Sequence, residues 1–278
     1  MSAEHGSKTE GIEFVNMEHV LSDSHGVTGE KDDHFDHEGE VPHLHARTYL
    51  VVVAVTTIYF AQLVNLVGSG AFRSSIAAVV GGGQNTTWII AVTVIFNCYL
   101  PLPVSQAADY FGRRWFLIIC TFLGVIGSII IARAQSMGTA IAGETILSLS
   151  YGCQPLLHTV ASEVLTRRSR GIAQAAVNGG VALGGIAGLL VGGAMTLNNP
   201  AGFRNFWYFT AGWYAVAVIL TFFSYNPPPR PSQTNFTLKE KLRRLDWVGY
   251  VLLGPALVMW VLGLEWADNP CKYSICLI

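Results

Sequence analysis

Apolar and polar positions alternate along this chain in blocks. Stretches of about twenty residues almost free of charge run over 48–67, 88–108, 115–134, 137–165, 171–196, 205–225 and 246–264. A helix of that length covers roughly 30 Å, the thickness of a hydrocarbon core, so each stretch predicts a membrane-spanning α-helix. Between the second and third lies only Asp109-Tyr110-Phe111-Gly112-Arg113-Arg114. So short a connection makes the two helices antiparallel neighbours. Gly112 permits the turn, and two arginines do not readily cross a bilayer.

Inside the stretches, the few polar residues recur at helical spacing. Tyr59, Gln62, Asn65 and Ser69 fall on one face of the first helix, which should look into the protein. Glu144, Ser148, Tyr151, Pro155, His158 and Ser162 line one face of the fourth, with Gln154 beside them. A glutamate at membrane depth costs several kcal/mol unless it is paired, protonated or hydrated. A structural polar zipper accounts for the stripe; a water-filled pathway in which Glu144 or His158 exchanges protons is the preferred reading. Tyr59, Gln62, Asn65, Glu144, Tyr151, Gln154 and His158 are therefore the candidate pathway residues. In the fifth helix Gly180, Gly184, Gly188 and Gly192 stand in four-residue steps, a ladder that lets another backbone approach closely.

Composition agrees: 51% of residues are hydrophobic and 13% charged, against about a quarter charged in soluble proteins. This is an all-α membrane protein. The net charge of −1 hides an acidic, His-rich segment over 1–46, expected to be a disordered cytoplasmic tail. Its His34, His37, His43 and His45, interleaved with acids, could bind zinc weakly. They lack fixed ligand spacing and a cysteine partner, so a solvated tail is the preferred reading and no metal or other cofactor is expected. With the amino terminus inside, the inner connections hold Arg113, Arg114, Arg167, Arg168, Arg170, Arg230, Lys239, Lys241, Arg243 and Arg244, the outer ones only Arg73, Arg133, Arg204 and Lys272. The sequon at Asn85 then falls outside. Asn226-Pro227-Pro228-Pro229-Arg230-Pro231 reads as an extended hinge. Thr237-Leu238-Lys239-Glu240 reads as a capping box that opens a short amphipathic helix. The expected organisation is a tail (1–46), a six-helix unit (47–226), hinge and interfacial helix (227–245), a seventh span (246–264) and a divergent carboxyl end (265–278).

Asp109-x-x-Gly112-Arg113-Arg114 resembles the signature between helices 2 and 3 of the major facilitator superfamily, with Ser105 where that family usually has glycine. Glu163 and Arg170, seven apart, resemble the Glu-x6-Arg element that pairs with this loop in many facilitators. That resemblance makes Asp109, Gly112, Arg113, Arg114, Glu163 and Arg170 a gating set in which Glu163 bonds Arg113. Gly184-x3-Gly188-x3-Gly192-Gly193 resembles the antiporter signature of facilitator exporters, with Leu189 in place of its proline. His43-Leu44-His45-Ala46-Arg47-Thr48, Ser150-Tyr151-Gly152-Cys153-Gln154-Pro155 and Leu242-Arg243-Arg244-Leu245-Asp246-Trp247 are among stretches that together resemble the fungal trichothecene efflux pump family, itself similar to siderophore–iron transporters. The resemblance runs from about residue 43 to 270 and then stops, where family members continue into a second helical half.

The fold implied is the major facilitator fold, as the amino-terminal six-helix half plus one further transmembrane helix. The function implied is proton-coupled efflux of small hydrophobic toxins or drug-like molecules at the plasma membrane, by a chain missing its second half. Partners are the organic cargo, protons and the bilayer, with no nucleic acid. A siderophore–iron transporter is the alternative within the family, and a seven-helix receptor the alternative outside it. No lysine in the seventh span could hold retinal, and no nucleophile–base pair stands at membrane depth, so no enzyme is expected. With one cavity wall present, the glycine ladder and the polar faces of helices one and four are expected to lack part of their partner surface.

Overall fold

The computed structural model describes residues 46–165, 167–197, 199–227 and 237–267, all within the compact unit Leu44–Ile278. The His-rich tail, most of the proline hinge and the end beyond residue 267 lie outside the described residues. Every regular element described is helical: α1 (Ala46–Ala71), α2 (Arg73–Val80), α3 (Thr87–Tyr99), α4 (Pro101–Phe111), α5 (Arg113–Ala132), α6 (Met137–Ser148), α7 (Gln154–Val164), α8 (Arg170–Thr196), α9 (Phe203–Ser224), α10 (Leu238–Arg243) and α11 (Trp247–Ala267). Helix is what such apolar sequences must adopt in lipid, because it satisfies each backbone N–H and C=O within its own segment. Four helices, in α1, α5, α8 and α9, are long and apolar enough to cross a membrane, and α3 with α4 makes a fifth as a bent pair.

Two predicted spans are not continuous. The second bends by 42° between α3 and α4. Pro101 and Pro103 sit in the first turn of α4, where they donate no N–H and crowd the carbonyls four residues before them. The fourth is α6, a five-residue 3-10 segment Leu149–Cys153, and then α7 with Pro155 in its first turn. Three residues per turn instead of 3.6, over those five, rotates everything beyond by roughly 100°. The face bearing Glu144 is therefore not the face bearing His158. The short helix α2 is an addition that the sequence reading missed. It buries Ile76 and ends at Gly81 and Gly82, both at positive φ, and the glycines mask it.

The glycine ladder is fully used, which corrects the expectation of a missing partner. Gly180, Gly184, Gly188 and Gly192 are the buried edge of α8 and lie against α1. A Cβ on Gly180 would stand 2.5 Å from Thr56 Cγ2, one on Gly184 2.6 Å from Phe60 O and one on Gly188 3.1 Å from Val64 O, while Gly192 meets the Phe72 ring. α1 also packs on α9, and α5 lies between α9 and α6. One apolar cluster, including Ile58, Leu117, Leu157 and Val177, gathers toward the Arg113 end. A second, including Phe72, Ile131, Phe206 and Trp207, gathers toward the other. Outward faces carry exposed Trp115, Ile119 and Phe122 on α5 and Leu183, Ile186 and Leu190 on α8.

Candidate functional site

Between the two apolar clusters, the polar face of α1 meets the fourth span. Gln62 and Asn65 are fully buried, and so is Glu144. Asn65 Nδ2 donates to Glu144 Oε1 at 3.1 Å and to the Tyr151 hydroxyl at 2.8 Å. Tyr151 in turn donates to the Gln62 carbonyl at 3.3 Å. Gln62 Nε2 donates to Ser150 O at 2.7 Å, a carbonyl of the 3-10 segment. The two polar faces are thus partly each other's partner, while Gln62 Oε1, Asn65 Oδ1, Glu144 Oε2 and Ser148 Oγ find no hydrogen bond among the described residues.

Thr93 on α3 completes the group, its Oγ1 2.8 Å from Glu144 Oε1 and 2.9 Å from Ile89 O. A hydroxyl has one proton to donate. When it goes to Ile89, the short contact with Glu144 holds only if the carboxyl carries a proton and donates; when it goes to Glu144, the carboxylate accepts. The site therefore accommodates both protonation states without moving a heavy atom. Sequence reasoning missed Thr93, Ser150 and Tyr214, whose hydroxyl is 2.9 Å from Ser150 Oγ. Thr93 had a usable signal, since it and Asn97 are the polar positions, four apart, in the run 88–97.

His158 is not brought to Glu144. Its Nδ1 lies 2.7 Å from Gln174 Oε1, Gln174 Nε2 donates to His158 O at 2.8 Å, and Tyr59 meets its ring edge-on. Tyr59, His158 and Gln174 thus form a second polar group nearer the Arg113 end, and Gln174 had gone unnoticed. Gln154 is half-buried and belongs to neither.

At the end of the bundle, the connection between α4 and α5 is the single residue Gly112, at φ +104°, a conformation that side chains disfavour. Arg113 is turned inward. Its Nε and Nη2 donate to Asp109 Oδ1 at 3.1 and 2.7 Å, and its Nη1 donates to Glu163 Oε1 at 2.6 Å. Arg170 is exposed and forms no ion pair among the described residues. Arg114 reaches the far end of α9, donating to Asn226 Oδ1 at 2.5 Å and Phe222 O at 3.1 Å. Lys241 of α10 is buried over the Phe111 ring, and Gln106 of α4 accepts from the Tyr250 hydroxyl of α11. A cavity of about 630 Å³ opens here, lined by Ser105, Gln106, Asp109, Pro155, Asp246 and Tyr250 among others; Glu144 is not on its wall.

The model of the Major Facilitator Superfamily matches residues 56–267, well over half of the sequence. The chain belongs to the Major Facilitator Superfamily. This facilitator is 24% identical, over 97% of its length, to the MFS-type transporter pydD of Acremonium sp, of which it covers 47%. It is 28% identical over 82% of its length to the efflux pump FUS6 of Gibberella fujikuroi, covering 40% of that protein. To the trichothecene efflux pump TRI12 of Trichoderma arundinaceum it is 23% identical over 72%, covering 34%. The chain thus spans less than half the length of these curated relatives. Its fold resembles a bacterial homologue of the human lysosomal transporter Spinster, solved inward-facing and unoccupied, with a TM-score of 0.57 at 16% identity over 67% of this chain. It is a membrane transporter-family protein of the all-α facilitator fold.

Proposed function

We propose that this facilitator serves in proton-coupled export of small hydrophobic molecules, with Glu144 as the proton-exchanging group. One observation carries the reading: a lone carboxyl, 1% exposed, is held by Asn65 and by a Thr93 hydroxyl able to donate to it or accept from it. A carboxyl that far from water is costly to ionise, so its charge state can be tied to a change of shape or solvent access. The efflux names of its relatives, one of them a trichothecene pump, support the direction of transport. In this reading, the described spans form one wall of a cargo path, and a second helical half forms the other. Residues 1–46, 47–226 and 227–245 act as tail, first half and hinge. The amino terminus faces the cytoplasm at the plasma membrane. Asp109, Arg113 and Glu163 close the cytoplasmic end.

The test uses secretory vesicles from yeast making the protein together with its second half. An acidic lumen should drive uptake of hydrophobic fluorescent compounds, and Glu144→Gln should abolish the dependence on the pH gradient while membrane insertion persists. Uptake indifferent to the gradient, or unchanged in the variant, removes Glu144 from the mechanism. No uptake of any compound removes the export reading.

A further inference from the structure

Gln174 of α8 holds His158 of α7 at two points. Its Nε2 donates to the His158 carbonyl at 2.8 Å, and its Oε1 lies 2.7 Å from His158 Nδ1. A carbonyl oxygen only accepts, so the amide must turn its nitrogen toward that carbonyl. The amide oxygen is then left against Nδ1, where two acceptors would repel. Nδ1 therefore carries a proton, and in the neutral ring Nε2 is bare. Tyr59 of α1 adds a third hold, meeting the ring edge-on at a centroid distance of 5.4 Å. The imidazole thus has a set tautomer and a set orientation.

Nothing among the described residues uses the bare nitrogen. Nε2 takes no hydrogen bond there, nor is it one of the buried polar atoms left without a partner, so a small group can reach it. His158, Tyr59 and Gln174 are all half-buried. Beside them lies the apolar cluster that contains Ile58, Leu157 and Val177, against which Tyr59 packs. A simple tie between α7 and α8 needs only the bonds to Gln174 and accounts for nothing at Nε2. A bare acceptor fixed in apolar surroundings selects a ligand with a donor on an otherwise apolar body. It offers nothing to an ether or a ketone, which bring only further acceptors.

We propose that His158 Nε2 is a fixed hydrogen-bond acceptor for a hydroxyl group on an apolar molecule, with Gln174 as its positioning residue. Calling that molecule cargo rests on the export reading, and the inference narrows the cargo from hydrophobic compounds at large to those bearing a hydroxyl. Gln174 acts through the ring, by setting which nitrogen is bare. A free imidazole favours the opposite tautomer, with its proton on Nε2, and would present a donor at the same place.

The experiment uses the whole 278-residue chain in lipid nanodiscs, with its histidines labelled by nitrogen-15. Nitrogen shifts at pH 9 report which ring nitrogen bears the proton. His158 is the one histidine beyond residue 46, and its signals are those lost in His158→Asn. They should show a protonated Nδ1 and a bare Nε2, and Gln174→Leu should return them to the free-imidazole majority. In the parent, 2-naphthalenemethanol should shift the Nε2 signal saturably, while its methyl ether at the same bilayer concentration should not. The apparent affinity for the alcohol should fall roughly fivefold to tenfold in Gln174→Leu, the worth of one neutral hydrogen bond. A proton found mainly on Nε2 in the parent overturns the proposal. A tautomer unchanged in Gln174→Leu removes Gln174 as its cause. Equal shifts from alcohol and ether, or none from the alcohol, overturn recognition of a hydroxyl. If Gln174→Leu does not fold, the parent's tautomer and the contrast between alcohol and ether still decide. All of these outcomes leave proton-coupled export standing, since that is read from the dependence of vesicle uptake on the pH gradient.

Discussion

Arg113 Nη1 lies 2.6 Å from Glu163 Oε1, joining the first residue of α5 to the last turn of α7 across fifty positions of sequence. The arginine side chain is 10% exposed and the glutamate 39%, so solvent screens one partner and much of the Coulomb energy is lost. A double-mutant cycle of Arg113→Gln with Glu163→Gln, read by thermal unfolding in detergent, should give a coupling of about 1 kcal/mol. Pairing Glu163→Gln with Arg170→Gln should give none. A larger coupling to Arg170 would mean that the contact with Arg113 is not the one that matters.

The ladder of α8 predicts a contrast within one helix. Gly184→Leu drives a side chain into the α1 backbone at Phe60 and should cost at least 1–3 kcal/mol, the range for overpacking, or prevent a monodisperse fold. Gly179 has nothing within 4 Å of a Cβ, so Gly179→Leu should purify and melt like the parent. Equal damage from both would show that helix propensity or lipid contact, not α1, governs the position.

Thr93 should matter through its hydroxyl. Thr93→Val keeps the shape and removes a partner of Glu144, and should destabilise by about 1–3 kcal/mol, the cost of stranding a buried polar group. Thr93→Ser restores the hydroxyl and should recover most of that loss. A serine variant as unstable as the valine one would assign the effect to the methyl group.

Glu240 sets a pH limit on α10. Its carboxylate accepts from the Thr237 N–H at 2.9 Å, and that bond holds its pKa below the ordinary glutamate value. A carboxyl with a depressed folded pKa contributes stability above its unfolded pKa and loses it as pH falls through the folded one. Hydrogen exchange at Thr237 should be slow at neutral pH, after correction for intrinsic rates, and lose protection below the usual glutamate range. Glu240→Gln should remove that pH dependence. Protection that does not change with pH would exclude the cap as its source.

Orientation can be read directly. A reporter inserted after Thr86 should face outward and one after Pro229 should face the cytoplasm. The opposite pattern would invert every assignment of gate and path.

Helical character and packing faces were open to sequence reading because each rests on a local pattern. Twenty apolar residues make a span, a four-residue glycine step makes a flat edge, and Gln62 with Asn65 marks the inward side of α1. What stayed hidden depends on small changes of helical pitch. The 3-10 segment Leu149–Cys153 contains no residue that announces it apart from nearby Pro155, yet it rotates His158 away from Glu144 and toward Gln174. Tyr214 sits in an apolar, aromatic stretch, where a hydroxyl leaves little periodic trace, whereas Thr93, four before Asn97, was visible and passed over. Pro101 and Pro103 were visible in the sequence, and the bend follows from them once their missing donors are counted.

The grip of the α4–α5 turn on both α9 and α10 has a mechanical consequence. Arg114 pins the chain at Asn226, where it leaves α9, and Phe111 receives Lys241 where it resumes in α10. Both ends of the same tether are thus knotted to residues three apart. Separating α10 from the α4–α5 turn must therefore break the Lys241 contact with Phe111, and freeing the end of α9 must break the Arg114 bond to Asn226, so one turn restrains both.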